Sequence, residues 1–198
     1  ARLADRIAYR DSLLDLDTDN RATSYWAEVL TGYHAATNHK IDMGVQFNNQ
    51  IGRSDSYSQR AVRQTWSGLV RYRWYPAADW LISARLRQTW ADGRRLPLTP
   101  YLGVRGNLTS WLSLRANVNR SYRLPGLDDL YWSPGGNPGL LPEAGWGQEV
   151  GLQAATTAGQ LQLEGGITAF SRQIDNWIQW VPGDSFWAPR NIREVWSR

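Results

Sequence analysis

Apolar and polar residues alternate with a period of two along most of this chain. Across residues 39–48, Ile41, Met43, Val45 and Phe47 share one parity, and Asp42, Gly44, Gln46 and Asn48 take the other. Successive side chains of a strand point to opposite faces, so this alternation predicts a strand with one apolar face. The same reading predicts strands over 3–11, 23–35, 39–48, 61–75, 80–90, 99–107, 111–123, 146–156 and 160–176, with a further one beginning at 191. No segment sustains a helical period. The expectation is an all-β antiparallel meander of about ten strands, with residues 1–198 belonging to one domain.

Two segments carry the pattern furthest. In 61–75, Trp66, Val70, Tyr72 and Trp74 oppose Ser67, Arg71 and Arg73; in 80–90, Trp80, Ile82, Ala84, Leu86 and Trp90 oppose Ser83, Arg85, Arg87 and Thr89. Trp80 and Trp90 stand ten residues apart on one face. At ~3.3 Å per residue and a tilt near ~40°, that is about 25 Å along a membrane normal, the height of an outer-membrane apolar band between aromatic girdles. Leu112 and Leu114 extend the apolar face. Gln88 shares its parity and is expected near the band's upper boundary. Composition agrees: 12 Trp and 9 Tyr against 3 Phe favour rings with polar tips, which suit a membrane–water boundary. The opposite face carries Arg71, Arg73, Arg85, Arg87, Arg105 and Arg115, with Glu149 and Glu164. A buried unpaired charge costs several kcal/mol, so this face is expected to meet water or carboxylates, as in the lumen of a wide barrel.

Short connections at 36–38, 76–79, 108–110 and 157–159 alternate with longer ones at 12–21, 50–60, 92–97, 121–143 and 181–190. That is the organisation of a transmembrane up-and-down β-barrel, with short periplasmic turns and longer external loops. The lack of an apolar run of ~20 residues excludes helical spans only. Without cysteine there is no disulfide, thiolate metal site or cysteine nucleophile. Asp15, Asp17 and Asp19 have the spacing of a calcium loop but not its glycine or closing glutamate, and read as a solvated loop. His34 and His39 lie near a turn, no carboxylate set has metal spacing, and no Gly-x-Ser-x-Gly occurs. No catalytic residue, metal or cofactor is therefore expected, and the chain does not read as an enzyme. The formal charge of +4 is spread along the chain, unlike a nucleic-acid footprint.

The stretch 121–143, SYRLPGLDDLYWSPGGNPGLLPE, is the densest in Pro and Gly and reads as a long irregular connection holding neither helix nor central strand. Its ordered pieces Arg123-Leu124-Pro125, Leu127-Asp128-Asp129-Leu130-Tyr131, Gly136-Asn137-Pro138 and Leu141-Pro142-Glu143 resemble the loop signature of TonB-dependent outer-membrane receptors, with Asp129 where the family often has Glu. Ile174-Asp175-Asn176-Trp177-Ile178 and Asn191-Ile192 are similar to later segments of that family. The resemblance implies a barrel of about 22 strands around an N-terminal plug, in the outer membrane of a Gram-negative bacterium. Such receptors import a scarce large nutrient, of the siderophore-iron or cobalamin type, with energy from the TonB–ExbB–ExbD complex acting through the plug. With no plug, TonB box or terminal aromatic in view, the chain is expected to be an interior part of that barrel.

Ligand-site candidates are the loop residues Asp128, Asp129, Tyr131 and Trp132, with Asp184, Phe186 and Trp187 in the next long connection. Residues 124–130 are expected to pin the loop to the barrel, and Trp132, Phe186 and Trp187 to contact ligand. Arg71, Arg73, Arg85, Arg87, Arg105, Arg115 and Glu149 are the lumen or plug-facing set. A passive porin or structural barrel stays open on composition, whereas a soluble sugar-binding β-sandwich using Trp132, Trp180 and Trp187 as stacking platforms does not explain the one-sided long loops or the charged second face. The loop signature favours the receptor.

Overall fold

The computed structural model describes residues 2–11 and 16–198. Its strands are β1 (Arg2–Asp11), β2 (Leu16–Ala36), β3 (His39–Ser54), β4 (Ala61–Trp74), β5 (Trp80–Ala91), β6 (Arg94–Arg95), β7 (Thr99–Asn107), β8 (Leu112–Arg123), β9 (Glu143–Ala158), β10 (Leu161–Pro182) and β11 (Trp187–Ser197), and α1 (Leu127–Tyr131) follows β8. They form a single sheet in the order β1-β2-β3-β4-β5-β7-β8-β9-β10-β11, with the short β6 paired to β5. All pairings are antiparallel, so the meander read from the alternation is the observed topology.

Register turns the alternation of each strand into two continuous faces. Ile41, Tyr72, Ala84, Leu102 and Val118 stand in one row across five strands. Asp42, Arg71, Arg85, Tyr101 and Asn119 form the adjacent row on the other side. A slip of one residue would exchange the two, so the register is strongly specified. The tryptophan face is uncovered: Val45 is 55% and Trp66 53% exposed. Among the described residues the buried hydrophobic side chains are few and gathered toward one end: Ala61, Ala91, Leu96, Leu140, Ala144 and Ile178. A sheet with so small a core and so large an exposed apolar face requires a non-aqueous cover.

Several connections at that end differ from expectation. Residues 16–21 belong to β2, so Asp17 and Asp19 stand in a strand rather than in the expected solvated loop, while Asp15 lies outside the described residues. β3 runs on to Ser54 and β10 to Pro182, which leaves only 55–60 and 183–186 as connections. Asp92 (φ 49°) and Gly93 (φ 77°) close a two-residue hairpin, as type I′ turns require at both central positions. One physical reason covers β2, β3 and β10. β2 and β10 have 21 and 22 residues, about twice the 9–11 that a transmembrane strand needs. Beyond the apolar band side chains lose their alternation, but the backbone ladder continues.

The 121–143 stretch holds a helix, contrary to expectation. Leu127–Tyr131 is the breaker-free interval between Gly126 and Pro134, just long enough for one turn. The Gly126 N–H donates to Asp129 Oδ2 at 2.7 Å, and the Trp132 N–H donates to the Asp128 carbonyl at 3.1 Å. Asp129 thereby closes the turn from its N-terminus. Gln88, the polar exception on the tryptophan face, is also accounted for. Its amide donates to the Leu96 carbonyl at 2.8 Å and accepts from Arg95 Nε at 3.1 Å. β6 and the 96–98 segment that follows it supply those partners.

Candidate functional site

The tops of β8, β9 and β10 are joined by one carboxylate. Arg123 and Glu143 are register partners, and the guanidinium donates to both Glu143 oxygens at 2.6 and 2.7 Å. Glu143 is only 5% exposed, and it also accepts the Ile178 N–H at 2.7 Å. The β9–β10 ladder ends at Ala144–Asp175, and Asn176 then takes a left-handed φ of 56°. Glu143 therefore satisfies a buried donor that the ladder has stopped serving. Asn191 does similar work for the loop. It accepts from Leu141 N–H at 2.9 Å and donates to the Leu141 and Asn176 carbonyls at 3.0 and 2.8 Å. Asn137 donates through its amide to the Pro189 carbonyl at 3.3 Å.

From these anchors the loop folds over the arginine face. Leu127 lies against Gly52 of β3, where an added Cβ would come within 2.8 Å of Leu127 Cδ1. β3 is four neighbours away from β8 in the sheet. Tyr57 and Trp132 form an antiparallel bridge; Ser58 N–H donates to the Tyr131 carbonyl at 3.1 Å, and Ser133 N–H to the Ser56 carbonyl at 2.7 Å. The Tyr57 hydroxyl donates to Asp128. Burial pushes that phenol well above the ordinary tyrosine range and the Asp128 carboxylate adds to the shift, so Tyr57 stays a donor at neutral pH. Asp129 accepts from Trp180 Nε1 at 2.9 Å, and the Trp132 ring stands edge-on to Trp180 with centroids 5.6 Å apart. Arg63, 8% exposed, lies in the field of Asp92 and Asp129.

The signature loop is brought against β10 and the start of β11, and the sequence-predicted residues take unequal roles. Asp128 and Asp129 are committed to internal bonds, and Tyr131 stacks obliquely with Tyr57 at 6.4 Å. Asp184 and Phe186 are exposed in the 183–186 connection. Trp187 is not a loop residue: it opens β11 opposite Pro182 because β10 extends that far, and its ring is exposed. Gly135 lets the signature loop approach the Trp187 carbonyl, where any side chain would collide. Sequence reasoning gave no role to Tyr57, Arg63 or Asn191, and it weighed Trp180 only as a stacking platform. Nothing local marks Tyr57 or Arg63, and Asn191 stands out only as a letter of the family resemblance, because their partners lie elsewhere in the chain.

On the arginine face, Arg71 and Arg73 reach Asp42 at 3.0 and 2.7 Å. Arg87 donates to Ser67 at 3.0 Å and to Gln46. Arg115 meets Glu149 at 3.3 Å and Thr168 at 3.1 Å. The Arg85 guanidinium lies 5.3 Å from the Tyr101 ring centre. Arg105 stands directly opposite Arg115. Arg85, Arg105, Arg115 and Glu149 line a cavity of about 530 Å³, and Arg105 and Arg115 also border one of about 790 Å³ with Asp79 and Glu164. This face can hold a polar, acid-rich object. His39 is occupied by Tyr72, 2.5 Å from its hydroxyl, and stacks with Trp74. Among the described residues no group of three or more His, Cys, Asp or Glu could hold a metal.

Several solved structures share this architecture. The chain is similar to the siderophore receptor PirA of Pseudomonas aeruginosa, with a TM-score of 0.73 at 17% identity over 90% of this chain and 35% of that one. It is also similar to the hemophore receptor HasR of Serratia marcescens, with a TM-score of 0.75 at 17% identity over 91% of this chain and 39% of that one. At such identities the likeness establishes fold. Among curated proteins, the vitamin B12 transporter BtuB of Photobacterium profundum is 33% identical over 126 residues, 61% of this chain and 20% of that protein. BtuB of Vibrio vulnificus is 30% identical over 86 residues, 42% of this chain and 13% of that protein. The matched region spans about a fifth of the first relative's length. The family described as "TonB dependent receptor-like, beta-barrel" matches residues 3–198. With that match across nearly its whole length, and with the meander, the tryptophan face and the braced loop in place, the chain belongs to the TonB-dependent receptor β-barrel family.

Proposed function

We propose that this chain is part of the barrel of an outer-membrane receptor that imports a large, scarce nutrient of the siderophore-iron, haem or cobalamin class. In this reading a plug domain outside the chain fills the lumen, and the TonB–ExbB–ExbD complex supplies energy through it. The observation that carries the proposal is the pairing of two opposed faces, an exposed apolar one and an arginine-rich one, with a loop tied across the arginine side at one end. A soluble sandwich would bury the apolar face in a core. A barrel in lipid leaves it exposed and keeps the charged face wet.

Ligand contact is assigned to Trp132, Phe186 and Trp187. Loops on a rigid scaffold at a barrel mouth are where such sites form, and aromatic rings offer contact area at low entropic cost. Asp128, Asp129 and Tyr131 hold the loop that presents Trp132, and Asp184 stands beside Phe186 as a carboxylate free to orient polar ligand groups. Arg71, Arg73, Arg85, Arg87, Arg105, Arg115 and Glu149 face the lumen, where Arg85 and Arg105 offer cations to carboxylates of the plug.

Replacing Trp132 and Trp187 together by Ala tests the site. Binding of cyanocobalamin or a ferric siderophore, whichever the cells import, should weaken about tenfold or more, equivalent to ~1.4 kcal/mol. The heat-resistant folded barrel should persist. Normal binding and import by the double variant would remove these residues from the site. Import that continues unchanged in cells lacking TonB would identify a passive barrel instead.

A further inference from the structure

We propose that the tryptophan face carries a seat for one anionic, acyl-chained lipid, with its chain over Gly68 and its phosphate at Arg95. Gly68 lies in the middle of β4 on that face, opposite Val45 on one side and Gln88 on the other. A Cβ placed there would meet nothing within 4 Å. The missing side chain therefore leaves a dent rather than permitting a backbone contact. Val45, Val70, Leu86 and Leu98 wall it into a groove of about 450 Å³ with an almost wholly apolar lining.

The upper end of the groove is different. Gln88 borders it and accepts from Arg95 Nε at 3.1 Å. Arg95 is exposed and stands opposite Trp90, itself opposite Trp66. One nitrogen of the guanidinium is thereby fixed, while the rest of the fork stays open at the height of the Trp66–Trp90 pair. A cation held at the end of an apolar groove complements a ligand with an alkyl chain and an adjoining anionic headgroup. A peptide strand is a poor occupant, because the groove floor is mid-sheet and its backbone groups are already paired. A guanidinium fork matches phosphate in a way a simple point charge does not. The inference rests on the reading that this face meets lipid.

Native mass spectrometry of the intact receptor in detergent tests it, with phosphatidylglycerol or phosphatidylcholine added at matched chain length. The native protein should retain one phosphatidylglycerol in preference to phosphatidylcholine. Gly68→Leu should lower that occupancy at least fivefold. Val70→Phe, which fills the groove from its wall, should do the same. Arg95→Gln should keep the chain but erase the preference for the anionic headgroup. Heat-resistant migration of each variant reports the barrel separately, so failure of the seat is distinguishable from failure of the barrel reading. Equal retention by native protein and both groove-filling variants would overturn the proposal, and equal retention of the two lipids by the native protein would overturn its headgroup half.

Discussion

Arginine at position 84 should expel this barrel segment from lipid, whereas arginine at position 83 should be accepted. Ala84 stands in the row Ile41–Tyr72–Ala84–Leu102–Val118, between the two tryptophans of its strand at positions 80 and 90. A charge on the lipid face of a barrel costs about 2–4 kcal/mol at the midplane and close to nothing at the interfaces. Ser83 is one residue away, but it pairs with Arg73 and Gly103 on the arginine face. There a further cation meets water. The readout is the denaturant midpoint for refolding into lipid vesicles, followed as the heat-resistant fraction. Ala84→Arg should lower stability by about 2–4 kcal/mol, and Ser83→Arg by much less. Equal losses would mean that the two faces are not lipid and lumen.

Arg123→Ala should be the most damaging change at the loop end. Glu143 is nearly inaccessible, and the Arg123 guanidinium is its only charged partner within ion-pair distance among the described residues. Stripping the cation from a buried carboxylate costs about 3–5 kcal/mol. The reverse change is milder. Glu143→Gln keeps an acceptor for the Ile178 N–H, and the Arg123 side chain, 55% exposed, is left where water can solvate it. That variant should lose about 1–2 kcal/mol. Proteolysis should report the difference as faster cleavage within residues 124–142 for Arg123→Ala than for Glu143→Gln. The opposite order would show that the carboxylate is not held by this pair.

The transmembrane part of the fold was legible because lipid and lumen impose opposite demands on alternate residues. β7 was read to its exact ends, 99 and 107, and β4 and β5 to within one residue. Legibility failed where those demands cease. Residues 49–54 and 177–182 are paired strand, yet their side chains alternate too weakly to announce it. The helix Leu127–Tyr131 was hidden by the surrounding Pro and Gly, because the density of breakers outweighed a gap just long enough for one capped turn. The candidate site was legible as chemistry and not as geometry. Asp128 and Asp129 stood out as loop carboxylates, but their partners Tyr57 and Trp180 lie 71 and 51 residues away in sequence. Likewise, Arg123, Asn137, Glu143 and Asn191 carried the family resemblance as letters. In the fold they are the tethers that hold strand ends and loop together.

The central claim is that one face of this sheet meets lipid and the other a wet lumen, and alternate-residue accessibility measures it directly. Single nitroxide labels on the reconstituted receptor at Val45, Val70, Ala84 and Leu102, and at Gln46, Arg71, Arg85 and Tyr101, sample both faces of the same strands. The first set should collide with dissolved oxygen, which concentrates in lipid. The second should be reached by a water-soluble nickel chelate or be shielded from both by the plug. Oxygen accessibility should therefore alternate with a period of two through each strand. Oxygen accessibility that is uniform along the strands, or highest at Arg71 and Arg85, would contradict the account.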